Sequence, residues 1–258
     1  MMKKSSQYTL IVDDRNVEQF GIKLIDYEVQ PYVKRKTTGI NIPGAHGTQA
    51  VPSSLSSNSL VAKVVCSGND ADDVQASIRQ FFAFMYSTQD AHKLVFTDDM
   101  NVVRYAILDS PNSYKVIRGI DGAMAELKLT FLMLDPFTYT KESERLVVVA
   151  KHGTPIIVEN DAFECPAIFK IQNNSNSSID GISLVINDEV ASFSCVLNAG
   201  DVLILDTVEY EVRYNGDERL DYWTGEMPKL KNGENFVTVY NAANSDLLLS
   251  VEFTKQWV

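Results

Sequence analysis

Residues 197–239, LNAGDVLILDTVEYEVRYNGDERLDYWTGEMPKLKNGENFVTV, pack strand and turn signals closely together and contain no catalytic pattern. Val208, Tyr210, Val212 and Tyr214 alternate with Glu209, Glu211 and Arg213, the period of a strand with one buried face. Asn215-Gly216 tolerates positive φ and predicts a tight type I′ turn, with residues 219–222 returning antiparallel. Residues 198–201 form a second turn, which opens an apolar strand over 202–205. Pro228 and Asn232-Gly233 punctuate again before a strand over 236–239, and a last strand alternates Leu247, Leu249, Val251 and Phe253. A meander of short strands of this kind predicts an antiparallel β-sandwich.

Working outward, the chain has 258 residues, 45% of them hydrophobic, which suits one large domain or two modest ones with true cores. The amino-terminal stretch has only Leu10, Ile11 and Val12 as a contiguous aliphatic run before Asp13-Asp14, far short of a secretory signal, and no apolar run approaches a membrane span. The expectation is a soluble, cytoplasmically folded protein with no membrane insertion. Cys66, Cys165 and Cys195 are odd in number and sit among apolar neighbours, as buried free thiols do.

The net charge of −11 argues against a nucleic-acid binder, which needs clustered Lys and Arg to neutralise phosphates. Residues 1–140 hold 14 Lys+Arg against 15 Asp+Glu, a net of −1, and residues 141–258 hold 9 against 19, a net of −10. A boundary in pattern falls at the same place: the alternating strand 124–134 stops at Asp135-Pro136, and a polar connector leads to a strand over 146–149. Two domains follow, 1–140 and 141–258.

The first domain carries one helix signal, with Asp70 as N-cap, Asp72 and Asp73 in the first turn, and Val74, Ile78, Phe81, Phe82 and Met85 at helical spacing. Strands are expected around it at 8–12, 22–29, 60–66, 93–96, 102–108 and 125–134. Between them, residues 30–59 are rich in Pro, Gly and Ser and read as a long loop without structure of its own. A loop of such length is usually functional. An arm laid on a neighbouring subunit accounts for it, with Lys34, Arg35, Lys36, Gly44 and Gly47 as candidate contact residues.

Catalytic signatures are absent: no nucleophile elbow, zinc-protease pair, phosphate loop, dinucleotide fingerprint or C-x-x-C occurs. His46, His92 and His152 are single and scattered, so neither a metal nor another cofactor is expected, and the chain does not read as an enzyme. Asp13-Asp14 and Asp98-Asp99 read as turn residues. Tyr222-Trp223 is the remaining candidate, as a sugar or partner contact or as aromatics packed at a strand end.

The phrase LNAGDVLILDT…NGDERLD…MPKLKNGENFVTV, closing on VEFTKQWV, resembles the carboxyl-terminal domain of siphophage distal tail proteins. Leu197, Gly200-Asp201, Asp206-Thr207, Asn215-Gly216, Pro228, Leu230, Gly233 and Asn235 carry the likeness. In the first half YTLIVDDRNVEQFGIKLIDYEV, INIPGAHGTQ and FLMLDPFTY resemble that family's amino-terminal domain. The resemblance implies a mainly β chain: an amino-terminal β-sandwich domain with one α-helix and an extended arm, then a galectin-like antiparallel sandwich. It also implies a structural hub of the virion tail tip, made in the bacterial host cytoplasm and forming a homohexameric ring. Partners implied are the tail-tube protein, a tail-associated tip protein and receptor-binding proteins, with DNA passing through unbound. A stand-alone carbohydrate-binding sandwich is the alternative; a glycan-degrading enzyme would need two carboxylates across a groove.

Overall fold

A computed structural model describes residues 8–30, 35–36, 39–40, 46, 49–50, 54–111, 114–241 and 247–258. The chain divides into two compact units, the first running to Tyr139 and the second covering Thr140–Trp257. Each has its own apolar core.

In the first unit the strands are β1 (Leu10–Val12), β2 (Arg15–Asn16), β3 (Ile22–Val29), β4 (Gly39–Ile40), β5 (Gln49–Ala50), β6 (Asn58–Gly68), β7 (His92–Phe96), β8 (Val102–Pro111), β9 (Val116–Gly119) and β10 (Gly122–Met133). They form a sheet in the order β2-β1-β7-β8-β10-β6-β3, with β9 folded back on β10. Strict alternation drives the long pair at its centre. Leu60, Ala62, Val64 and Cys66 of β6 and Ala125, Leu127, Leu129 and Phe131 of β10 are buried, and the residues between them face outward. The sheet curls until its β3 edge meets the β1–β7 side. Tyr27 stacks on Phe96 at 3.8 Å between centroids, and the Tyr8 ring meets Tyr27 edge-on at 5.9 Å.

Helix α1 (Ala71–Met85) packs Val74, Ile78, Phe81 and Met85 into this core. The Asp70 carboxylate accepts from the backbone N–H groups of Asp72 and Asp73, as the cap signal requires. At its other end the buried His92 fixes the last turn. One ring nitrogen meets the Met85 carbonyl at 2.7 Å and the other the Asp13 carboxylate at 2.6 Å. Both partners present oxygen acceptors to the ring, which ties the end of the helix to the turn after β1. Asp13 and Asp14 occupy a left-handed turn between β1 and β2, where short polar side chains are tolerated.

In the second unit two sheets face each other. Following β11 (Thr138–Thr140), which spans the division, come β12 (Glu144–Ala150), β13 (Pro155–Asn160), β14 (Ala167–Gln172), β15 (Ile179–Ile186), β16 (Glu189–Leu197), β17 (Val202–Asp206), β18 (Glu211–Tyr214), β19 (Asp217–Glu218), β20 (Trp223–Gly225), β21 (Gly233–Asn241), β22 (Leu247–Phe253) and β23 (Gln256–Trp257). One sheet has the order β12-β22-β14-β17-β18-β19 and the other β13-β21-β15-β16-β20. Phe169, Ile171, Leu249 and Val251 from the first, with Ile182, Leu184, Val237 and Val239 from the second, form part of the core between them.

Two readings of the opening stretch are corrected. Residues 207–210 are a turn and the strand begins at Glu211. The Asp206 carboxylate takes the N–H groups of Val208 and Glu209, and Tyr210 adopts a φ of 59°, which ends any extended run. The hairpin at Asn215-Gly216 forms with both residues at positive φ, but its return strand is only Asp217–Glu218. Residues 220–222 are a 3-10 turn rather than strand.

Candidate functional site

The long loop of the first domain has structure among its described residues. Arg35 bridges to Leu55, the Lys36 N–H donates to the Ser54 carbonyl at 3.0 Å, and β4 pairs with β5 as Gly39–Ala50 and Ile40–Gln49. These pairings nest within one another, so the described residues of the segment pair as a two-stranded ribbon separate from the main sheet. This corrects the expectation of a loop without structure. Arg35 and Lys36 lie exposed at its base. Lys34, Gly44 and Gly47 lie outside the described residues.

The aromatic pair Tyr222-Trp223 sits where the 3-10 turn enters β20, which pairs with β16 through Trp223 and Phe193. Both rings pack on the sandwich core and are half-buried. The Trp223 indole N–H is buried without a hydrogen-bond partner. The Arg219 guanidinium lies 3.6 Å from the Tyr222 ring centroid and grips Asp221 through two hydrogen bonds of 3.0 and 2.9 Å, which hold the Asp221 carboxyl below its usual range. On its edge the Tyr222 ring meets Tyr214 at 6.0 Å. The Tyr214 hydroxyl donates to Asp201, and that bond pushes its pKa up to about 12. One face of Tyr222 is thus covered by a cation and Trp223 is turned inward, an arrangement that offers no aromatic platform for a sugar ring.

No cluster of His, Cys, Asp or Glu suited to a metal ion occurs among the described residues. Burial leads the upward shift of all three thiols, Cys165 to about 11, so none is a ready nucleophile. Two open depressions of about 310 and 390 Å³ flank the β9–β10 hairpin beside the start of α1, and Asp70, Asp72 and Arg118 are the charged groups on the first. What the structure does present is surface. Ile117 and Met124 pair across the exposed hairpin whose tip is Ile120. Another apolar surface lies on the outside of the five-stranded sheet, where Ile157, Val190, Phe236 and Tyr240 are each 43–51% exposed. Sequence reasoning missed these four because outward apolar residues read as core in a strand pattern.

Comparison with known proteins agrees with this picture. Residues 7–133 match the model of a family described as the phage tail protein RIFT-related domain. The crystal structure of SPP1 Dit, described as a paradigm of hub adsorption apparatus in phages infecting Gram-positive bacteria, superposes with a TM-score of 0.76. That match has 13% identity and covers 97% of this chain and 99% of that one. A chain of the phage P2 baseplate in its activated conformation with Ca matches at a TM-score of 0.48 and 11% identity, over 97% of both chains. No curated protein matches the sequence significantly. The first domain thus matches a phage-tail family model, and the fold of the chain is similar to that of SPP1 Dit.

Proposed function

We propose that this chain, whose first domain matches a phage tail family and whose fold is that of Dit, is a structural subunit of a siphophage tail tip. In this reading six copies close into a ring whose first domains continue the tail tube around a channel for DNA. The second domains face outward and carry tail-tip and receptor-binding proteins. Subunits are made in the host cytoplasm and end in the virion. The family match over residues 7–133 carries the reading, because it makes the domain that this reading puts in the ring a phage-tail domain. A closed ring with head-to-tail contacts needs two different complementary patches on each subunit. The ribbon after β3, with Arg35 and Lys36 exposed at its base, supplies one.

Light scattering and electron microscopy of the purified chain, alone and with the tail-tube protein, test this. A sixfold particle with a central hole is expected in at least the mixed sample. Replacing residues 37–53 by a short Gly-Ser turn is expected to abolish it while each domain stays folded. A particle that survives the deletion removes the ribbon from the interface, and monomers in both samples overturn the ring itself. The alternative of a stand-alone carbohydrate-binding module loses its support at Tyr222 and Trp223, for the geometric reasons given above.

A further inference from the structure

The two outer faces of the second domain differ in chemistry. On the six-stranded sheet, Arg145 lies opposite Glu252, Lys170 opposite Ile204 and Ser250, and Arg213 opposite Ile204, so charges of both signs interrupt the apolar positions. This is an ordinary solvated face.

The five-stranded sheet is different. Register places Pro155, Thr238, Val185 and Val190 in one row across β13, β21, β15 and β16. Beside it Ile157 lies opposite Phe236, and on the other side Tyr240, Ser183, Ser192 and Thr224 form a third row. No charge interrupts these rows. Tyr240 is steadied by His152, whose ring meets it edge-on at 5.5 Å while its Nδ1 accepts from the Asn241 N–H at 3.2 Å. Exposed Ile157, Phe236, Val190 and Tyr240, with only neutral hydroxyl residues among them, make an uncharged and partly apolar band, which is unusual for a surface that stays in water.

Carboxylates border the band, and the one beside Val190, Glu189, is paired with Lys231 at 3.4 Å. Glu159 and Glu234 lie directly opposite one another on β13 and β21, both exposed, at one end. Asp180, opposite Val196, stands at the other. No Lys or Arg occupies an outward position on these strands. Like charges placed directly across a ladder are unfavourable in the free domain, and a cation arriving between them removes the repulsion.

We infer that the outer face of the five-stranded sheet docks a protein partner whose contact patch is apolar at its centre and ringed by Lys or Arg. The inference rests on the tail-hub reading, since it names the surface by which the outward domain carries another component. Ile157, Phe236, Val190 and Tyr240 supply the buried centre and the carboxylates select the partner's charge, raising the rate of encounter and rejecting acidic surfaces.

Hydroxyl-radical footprinting of the purified chain and of isolated tails provides the test, with a photoreactive phenylalanine analogue at Val190 to capture whatever lies on the face. In tails, Phe236 and Tyr240 are expected to lose most of their labelling, while Val147 and Val149 on the other sheet keep theirs. The analogue should cross-link to a peptide of a different tail protein that bears apolar residues with Lys or Arg. The double variant E159K/E234K exchanges one like-charge pair for another, so its fold should hold. Its cross-linking yield should nevertheless fall by about tenfold or more, because the selecting charge is reversed. Unchanged labelling in tails overturns the inference, as does a cross-link to a second copy of this chain or to polysaccharide alone. Absence of the chain from isolated tails overturns the hub reading instead, so the two failures are distinct.

Discussion

Two buried nitrogen groups show how single residues set the stability of each domain. Arg104 on β8 is almost wholly buried, yet its Nε and Nη1 have no hydrogen-bond partner, and its Nη2 reaches Asp99 only at 3.5 Å. A contact with the Phe96 ring at 5.7 Å is small compensation. An underpaired buried cation costs more in desolvation than it regains, and apolar side chains of similar volume often improve such sites by about 1 to 4 kcal/mol. Arg104→Met is therefore expected to raise the melting temperature of the first domain, as scanning calorimetry would show; a clear drop would mean that the guanidinium is satisfied after all. Trp223 behaves oppositely, because its ring contributes packing while its N–H contributes nothing. Trp223→Phe should be close to neutral in thermal unfolding. Trp223→Ala should cost up to about 3 kcal/mol, the low end of the range for buried aromatics, because the ring is only half-buried. Equal losses in the two variants would show that the N–H matters.

Turns, more than strands, respond to pH in the second domain. Asp201 closes the turn before β17 and accepts from the Tyr214 hydroxyl and from Asn215, bonds that hold its carboxyl below its usual range. Asp161, after β13, is lowered in the same way by Lys255, which also bonds Glu144 at 2.7 Å. Asp221 is lowered by Arg219. A carboxylate whose folded pKa lies below its unfolded value contributes stability that is present above the unfolded value, about 3.9, and is lost as pH falls through the folded one. Thermal unfolding of this domain should thus be level near neutrality and decline below about pH 4, the carboxylate range. Tyr214→Phe should flatten part of that decline, and an unchanged pH profile in this variant would remove Asp201 from the account. The turns at Gly200-Asp201 and Asn215-Gly216 were legible in the sequence because such pairs have a strong backbone preference, whereas the turn that holds Asp221 read as strand. The helix was equally legible, since its cap and its apolar spacing agree. The strands β13 to β16 were not. Ile156 with Ile157, and Leu184 with Val185, are apolar on both faces, so the alternation that marks a half-buried strand disappears where the outer face is apolar as well. Tyr210 misled for the converse reason: it continues the alternation, while the Asp206 side chain has already turned the backbone.

Charge links the whole molecule to the proposed channel. Nearly all the net negative charge belongs to residues 141–258, so the first domain, nearly neutral, does not repel DNA by net charge. The broad outward face of β3, β6 and β10 carries Lys23, Lys63 and Lys128 with Asp26, Glu28 and Glu126. Lys63 lies between Asp26 and Lys128 and bonds Glu28 at 3.4 Å. Three cations and three carboxylates share these positions and sum to zero charge, which suits a wall past which DNA slides, since each phosphate neutralised by a protein cation adds salt-dependent affinity. If this face lines the channel, the assembled protein should show no retention on DNA at about 0.15 M salt, where residual attraction extends only about 8 Å. Reversing Asp26 and Glu126 to lysine leaves five lysines on these positions against Glu28. The double variant should then bind DNA with an affinity that falls steeply as salt rises, about 0.9 logarithmic units per phosphate contacted for each tenfold change. Tails built from it should release their DNA slowly. DNA affinity that is unchanged in assembled rings of the variant would place another face of the domain at the lumen.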